Sequence, residues 1–187
     1  MNQVIEAILA RRSVRSYREE AVPTPEMEAV VEAGLYAPSA RNAQAWHVSV
    51  IRDRKTIAEL GDELKEAIIR CQVERYLALA RSAEYRMGFG APVFVIVSAD
   101  PAVSVCPEQD SALVLENMFL AAHSLGIGSC WVNQLCPVCD DPAFRRRLDA
   151  LGVPASHKIY GAAAFGYNGG VHPKAPPRRE NAVSWIG

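Results

Sequence analysis

The sequence lacks most of the features that mark a membrane, secreted or nucleic-acid-binding chain. Its longest apolar runs, such as Pro92–Val97 and Gly161–Phe165, fall far short of the ~20 residues a spanning helix needs. Glu6 and Arg11-Arg12 interrupt the first apolar stretch, so no signal peptide is expected. Five cysteines are too few, and odd in number, for a disulfide framework, which leaves the cytoplasm as the expected compartment. Neither sign of charge dominates, with 20 Lys and Arg against 21 Asp and Glu. A nucleic-acid partner calls for a basic stripe. The clusters at Arg11-Arg12, Arg145-Arg146-Arg147 and Arg178-Arg179 suit a small anion or a solvated face instead. Neither a nucleic acid nor a membrane is therefore expected as a partner. No G-x-G-x-x-G follows a strand and no Walker-type loop occurs, so a resident dinucleotide-binding domain is not expected. The four histidines, His47, His123, His157 and His172, show no ligand spacing, and no metal site is expected.

What is present suits one compact domain over residues 1–187, half of it hydrophobic. A first helix is expected from about Gln3 to Leu9. Thr24 as N-cap and Pro25 at the first helical position open a second, on which Met27, Val30, Val31, Gly34 and Leu35 keep helical spacing until Pro38 prevents continuation. His47–Ile51 alternates like a strand, and Thr56–Arg81 reads as one long helix or two shorter ones. Pro92–Ser98 is a β-branched and aromatic run expected of a strand buried on both faces. Asp110–Leu125 is apolar around most of its circumference and stops at Gly126, which places it at the centre of the core. A short strand at Cys130–Val132, a helix opened by Asp141-Pro142 and a last strand at Lys158–Phe165 complete the pattern. Helices and strands intermix without βαβ repetition, which predicts an α+β layered fold.

Two segments carry candidate chemistry. Arg11-Arg12-Ser13-Val14-Arg15 puts three guanidinium groups and a hydroxyl within five residues, and Arg forks match phosphate oxygens and ring carbonyls bidentately. In extended conformation Arg11, Ser13 and Arg15 project to one side and Arg12 to the other. A solvated, dipole-complementing cluster at the helix end is the plain alternative. Pro38-Ser39-Ala40-Arg41-Asn42-Ala43-Gln44-Ala45-Trp46 offers hydroxyl and amide groups that both donate and accept, a set able to read the edge of a planar heterocycle. Its plain alternative is a polar loop anchored by Trp46. Cys136-Pro137-Val138-Cys139 is a C-x-x-C motif, but Pro137 and Asp140-Asp141 suggest a loop before a helix and no further zinc ligands stand nearby.

Taken together, R-R-S-x-R followed after a helix by P-S-x-x-N-x-Q-x-W resembles the FMN-dependent nitroreductase family. The stretch Glu116-Asn117-Met118, the run Gly126-Ile127-Gly128-Ser129-Cys130-Trp131 and the closing Phe165-Gly166-Tyr167 extend the likeness over nearly the whole chain. The resemblance implies a three-layer α/β/α sandwich with a mixed, largely antiparallel central sheet. It also implies an intertwined homodimer with FMN held between subunits and the tail of about 167–187 packed on the partner. By position, Arg11, Arg12, Ser13 and Arg15 would serve the phosphate and pyrimidine side of one FMN, and Pro38, Ser39, Asn42 and Gln44 would reach it from the other subunit. The backbone of Val132, Asn133 and Gln134 would pass beneath the ring, and Arg178, or Lys174, would close over the phosphate. Arg86 is a further position in the segment before the buried strand. In this tail Pro176 takes the place where the family usually has Lys, and Ala45 follows Gln44 where it often has Pro.

The implied activity is ping-pong hydride transfer from NADH or NADPH through flavin N5 to a small electron-poor acceptor such as a nitroaromatic or quinone, with no dedicated side-chain acid or base. Alternatives left open are an FMN-bound electron-transfer or sensing protein, a flavin-fragmenting or dehalogenating enzyme, and a thiol or zinc protein built on Cys136 and Cys139.

Overall fold

The computed structural model describes residues 2–187. Helix α1 (Gln3–Ala10) is followed by an extended segment and then by α2 (Thr24–Leu35), β1 (Trp46–Ile51), α3 (Arg54–Arg70), α4 (Glu74–Arg81), β2 (Val93–Ala99), α5 (Pro107–Ser124), β3 (Gly128–Val132), α6 (Pro142–Ala150) and β4 (Lys158–Gly166). The four strands form one sheet in the order β1-β2-β4-β3, and every ladder is antiparallel. The parallel element is an isolated bridge, Ser13 to Ser129, alongside β3.

Strand alternation sorts the core into two layers. From β2, Phe94 and Ile96 point to one face and Val93, Val95 and Val97 to the other; from β4, Ala162 and Ala164 oppose Ala163 and Phe165. Ile57, Leu60, Leu64 and Ile68 of α3, with Phe144 and Leu148 of α6, cover the first face. Met27 and Val30 of α2, with Val114, Leu115 and Met118 of α5, cover the second. The result is the α/β/α sandwich. Every residue of β2 is buried, as its sequence predicted.

Helices α2 and α5 approach closely because Gly34 has no side chain: a Cβ there would lie 2.6 Å from Met118 Cγ. Tertiary packing moves some expected boundaries. Helix α2 begins one residue early, capped by Pro23 without a side-chain bond, and Thr24 Oγ1 instead accepts from Arg52 Nη1 at 2.5 Å. Asp141 caps α6 as expected, accepting from Phe144 N at 2.9 Å. Helix α5 is not enclosed at the centre of the core. Its Leu113 remains 43% exposed, and α1 buries none of its residues, so apolar Val4, Ile5, Ile8 and Leu9 all face outward in the single chain. Val183, Trp185 and Ile186 in the tail are likewise exposed. No helix among the described residues is long and apolar enough to cross a membrane.

Candidate functional site

The arginine-rich segment is extended and tied to the sheet. Val14 N donates to Ser129 O at 2.9 Å, and the buried Val14 side chain rests over Gly128, where a Cβ would come within 2.7 Å of it. Because the Ser13–Ser129 bridge is parallel, the chain from Ser13 to Arg15 runs alongside β3 toward Val132, Asn133 and Gln134. Burial pushes the Cys130 thiol up, against the opposing influence of Arg15, a side-chain hydrogen bond with Ser13, and Arg11. Arg12 Nη1 donates to Arg11 O at 2.5 Å, and Arg11 and Arg12 line one hollow together, so the expected separation of these two side chains is not what the fold shows.

Two aromatic rings flank the guanidinium groups. Arg15 lies 6.0 Å from the Phe89 ring centre and Arg11 5.7 Å from that of Phe119, within cation–π reach. The segment has an accompanying carboxylate, since Glu116 Oε1 of α5 stands 3.5 Å from Arg11 Nε. Arg11 Nε is nonetheless buried without a hydrogen bond, so its donor capacity is open.

Val132 is buried with its side chain in the core, so only its backbone is available at the end of β3. Asn133 turns its amide oxygen inward, accepting from Trp131 Nε1 and Cys136 Sγ, both at 3.4 Å. Gln134 Oε1 is buried and accepts no hydrogen bond, leaving an acceptor unsatisfied there. The C-x-x-C pair sits on a 3₁₀ turn, Cys136–Val138, before α6. Burial pushes Cys136 up to about 12, and Cys139 is raised for the same reason, so both are thiols at neutral pH. Among the described residues no group of three His, Cys, Asp or Glu is arranged to hold a metal.

The second segment lies elsewhere. Arg41, Asn42 and Gln44 all adopt positive φ, at 56°, 54° and 46°, a conformation costly for residues with a Cβ. Three clamps hold them. Ala40 N donates to the buried Asp110 carboxylate (3.0 Å), Gln44 N to Ser39 Oγ (3.0 Å), and Gln44 Nε2 to Asn42 Oδ1 (2.8 Å). Pro38, Asn42 and Gln44 remain exposed. This loop rests on Asp110 in the first turn of α5, whereas Arg11 and Arg12 share a hollow with His123 in its last turn. Thirteen residues of helix separate the two points, about 20 Å at 1.5 Å per residue. The single chain does not bring the two segments together.

Arg178 and Lys174 are not brought to the arginine segment either. Both are exposed, and no hydrogen bond or ion pair among the described residues links them to it. The start of the tail does run alongside the segment, with Arg18 N donating to Tyr167 O and Gly169 N to Ser16 O, both at 2.9 Å. Arg86 lines a different hollow with Arg54, Lys65 and Tyr85. The sequence reading passed over Phe89, because only its fold places it near Arg15, and gave His123 and His172 no role.

Residues 8–167 match the family described as "Nitroreductase family". The chain belongs to the nitroreductase family. A nitroreductase from Bacteroides fragilis NCTC 9343, solved with bound FMN, is 39% identical and superposes with a TM-score of 0.95, covering 100% of both chains. A protein of Archaeoglobus fulgidus with the provisional name NADH dehydrogenase/NAD(P)H nitroreductase is 28% identical over 171 residues, 89% of this chain and 86% of the relative. The NADPH-flavin oxidoreductase of Vibrio harveyi is 25% identical over 181 residues, 94% of this chain and 71% of the relative. Measured by its own residues, this nitroreductase family member fits a flavin nucleotide. It combines an open guanidinium set with a buried, unsatisfied amide oxygen and flanking aromatic rings.

Proposed function

We propose that this chain is an FMN-dependent NAD(P)H oxidoreductase that works as a homodimer in the cytoplasm, with its site shared between two subunits. The observation that carries the reading is the extended Arg11–Arg15 segment bridged to β3. It presents donors for a phosphate and a pyrimidine edge in a chain whose FMN-bound relative superposes over its full length. Arg11, Arg12, Ser13 and Arg15 would hold the phosphate and pyrimidine side, and the backbone of Val132, Asn133 and Gln134 would lie under the ring. Pro38, Ser39, Asn42 and Gln44 would come from the second subunit, because α5 separates them from the arginines within one chain. An antiparallel meeting of two α5 helices would close that gap of about 20 Å. The outward apolar residues of α1, Leu113 and the tail residues Val183, Trp185 and Ile186 are surface that such a pairing would cover. The tail, with Arg178, would pack on the partner.

The bound group supplies two-electron chemistry, taking hydride from a reduced nicotinamide and passing it to an electron-poor acceptor such as a nitroaromatic or quinone in a ping-pong order. The protein's part is electrostatic. Arg15, with Arg12, would place positive charge where negative charge develops on reduction. The clamped loop fixes amides and a hydroxyl in advance of binding, so little ordering remains to be done then.

The test is to titrate FMN into the apo-protein, measure its mass by sedimentation, and mix the loaded protein with NADH and NADPH without oxygen. A yellow dimer bleached by one of them is expected. A monomer indifferent to FMN sinks the reading.

A further inference from the structure

The hollow beside Arg11 and Arg12 also takes in residues that the reading above leaves without a role. It measures about 180 Å³ and is lined by Arg11, Arg12, Ser129, Asn168, His123 and His172 among others, none of them Asp or Glu. His123 comes from the last turn of α5, the arginines from the segment after α1, and His172 from the tail. The charged groups facing His123 are Arg11, Arg12 and His172, all cationic or able to become so. On α5 itself Glu116 is two turns away and serves Arg11. Four basic side chains from three parts of the chain thus converge on a space without a counter-charge in its lining. Like charges gathered in this way repel, and an anion between them removes the repulsion.

We propose that His123 and His172 act with Arg11 and Arg12 as ligands of a phosphate monoester, the 5′-phosphate of FMN. The identity of the anion rests on the FMN reading above. In the free protein, burial first, then His172 and the arginines, hold His123 below its ordinary value. A phosphate carrying close to two negative charges reverses the local field at His123, so its imidazole takes up a proton from solvent as the ester binds. Affinity for the phosphate therefore rises as pH falls from the bound-state pKa toward the free-state one. Each unit by which a histidine's pKa moves contributes about tenfold.

The phosphate has its own proton equilibrium near pH 6, so the informative quantity is the ratio of wild-type to variant affinity. FMN and riboflavin, which lacks the phosphate, are titrated by fluorescence quenching into wild type, His123→Gln, His172→Gln and the double variant at about pH 8 and about pH 6. For FMN the ratio of wild type to double variant is expected to grow about tenfold toward the lower pH, while for riboflavin it stays near one. A flat ratio for FMN, or an equal change for riboflavin, overturns the histidine assignment and leaves the FMN reading intact. If wild type binds neither flavin, the FMN reading fails. Inorganic phosphate followed through the histidine NMR resonances then decides the hollow on its own: raised imidazole pKa values keep it as an anion site, and unmoved ones overturn it.

Discussion

Asp110→Ala is expected to weaken both the fold and the flavin site, because one buried carboxylate joins them. Asp110 is 4% exposed and sits in the first turn of α5, where the helix dipole favours its charge. Its Oδ1 accepts from Ala40 N at 3.0 Å and its Oδ2 from Ser104 Oγ at 2.6 Å, and Ser104 Oγ in turn accepts from Cys106 N at 3.0 Å. Hydrogen bonds to a charged group contribute ~1.5–3 kcal/mol each, so losing both costs about 3–6 kcal/mol. Relief from burying the carboxylate offsets part of that, leaving a net loss of about 3 kcal/mol. For a domain of this size, that lowers Tm by roughly 6–12 °C. The same change releases the loop in which Arg41, Asn42 and Gln44 are held at positive φ, so FMN affinity should fall as well. Circular dichroism melts of the apo-protein and FMN titrations measure the two effects, with Asp110→Asn falling between wild type and alanine. A Tm drop under about 2 °C would refute the energetic argument. A full Tm drop with unchanged FMN affinity would refute the loop's place in the site.

Further outcomes test other links. Arg15→Ala should weaken FMN by roughly 10–100-fold, the equivalent of one charge-assisted hydrogen bond, and lower the flavin reduction potential, since positive charge near the ring favours the reduced anion. Unchanged affinity and potential would remove Arg15 from the site. Gly128→Ala places a methyl 2.7 Å from Val14 Cγ2 and 3.2 Å from Gly166 O, so the Arg11–Arg15 segment must shift. FMN titration should show weaker binding, with a stability loss of about 1–3 kcal/mol in a melt. Asp141 is held below the usual carboxylate range by its hydrogen bonds to Arg70, so its contribution is present at neutral pH and is lost as pH falls through its folded pKa. Asp141→Ala should therefore cost at least about 1 kcal/mol from the lost cap at neutral pH, and acid-unfolding curves of variant and wild type should converge at low pH. Cys71, exposed, should react with a thiol reagent at neutral pH well before Cys136 and Cys139, as peptide mapping would show, because both members of the pair are kept protonated by burial.

Local signals in the chain settled the elements and their order. Apolar patterning marked β2 and α2, Asp141 marked the start of α6, and the two polar segments stood out because arginines concentrate in one and amides in the other. What the chain could not announce is where those segments stand relative to one another. Only the packing of α5 shows that the amide loop rests on its first turn while the arginines lie along its second half, and only the fold puts Phe89 beside Arg15 and His172 beside His123. Such pairings depend on contacts between residues far apart in sequence, for which neither periodicity nor spacing carries a signal. The same holds for the outward face of α5, whose apolar residues read as core because hydrophobic patterning records that a surface is to be buried and not what buries it.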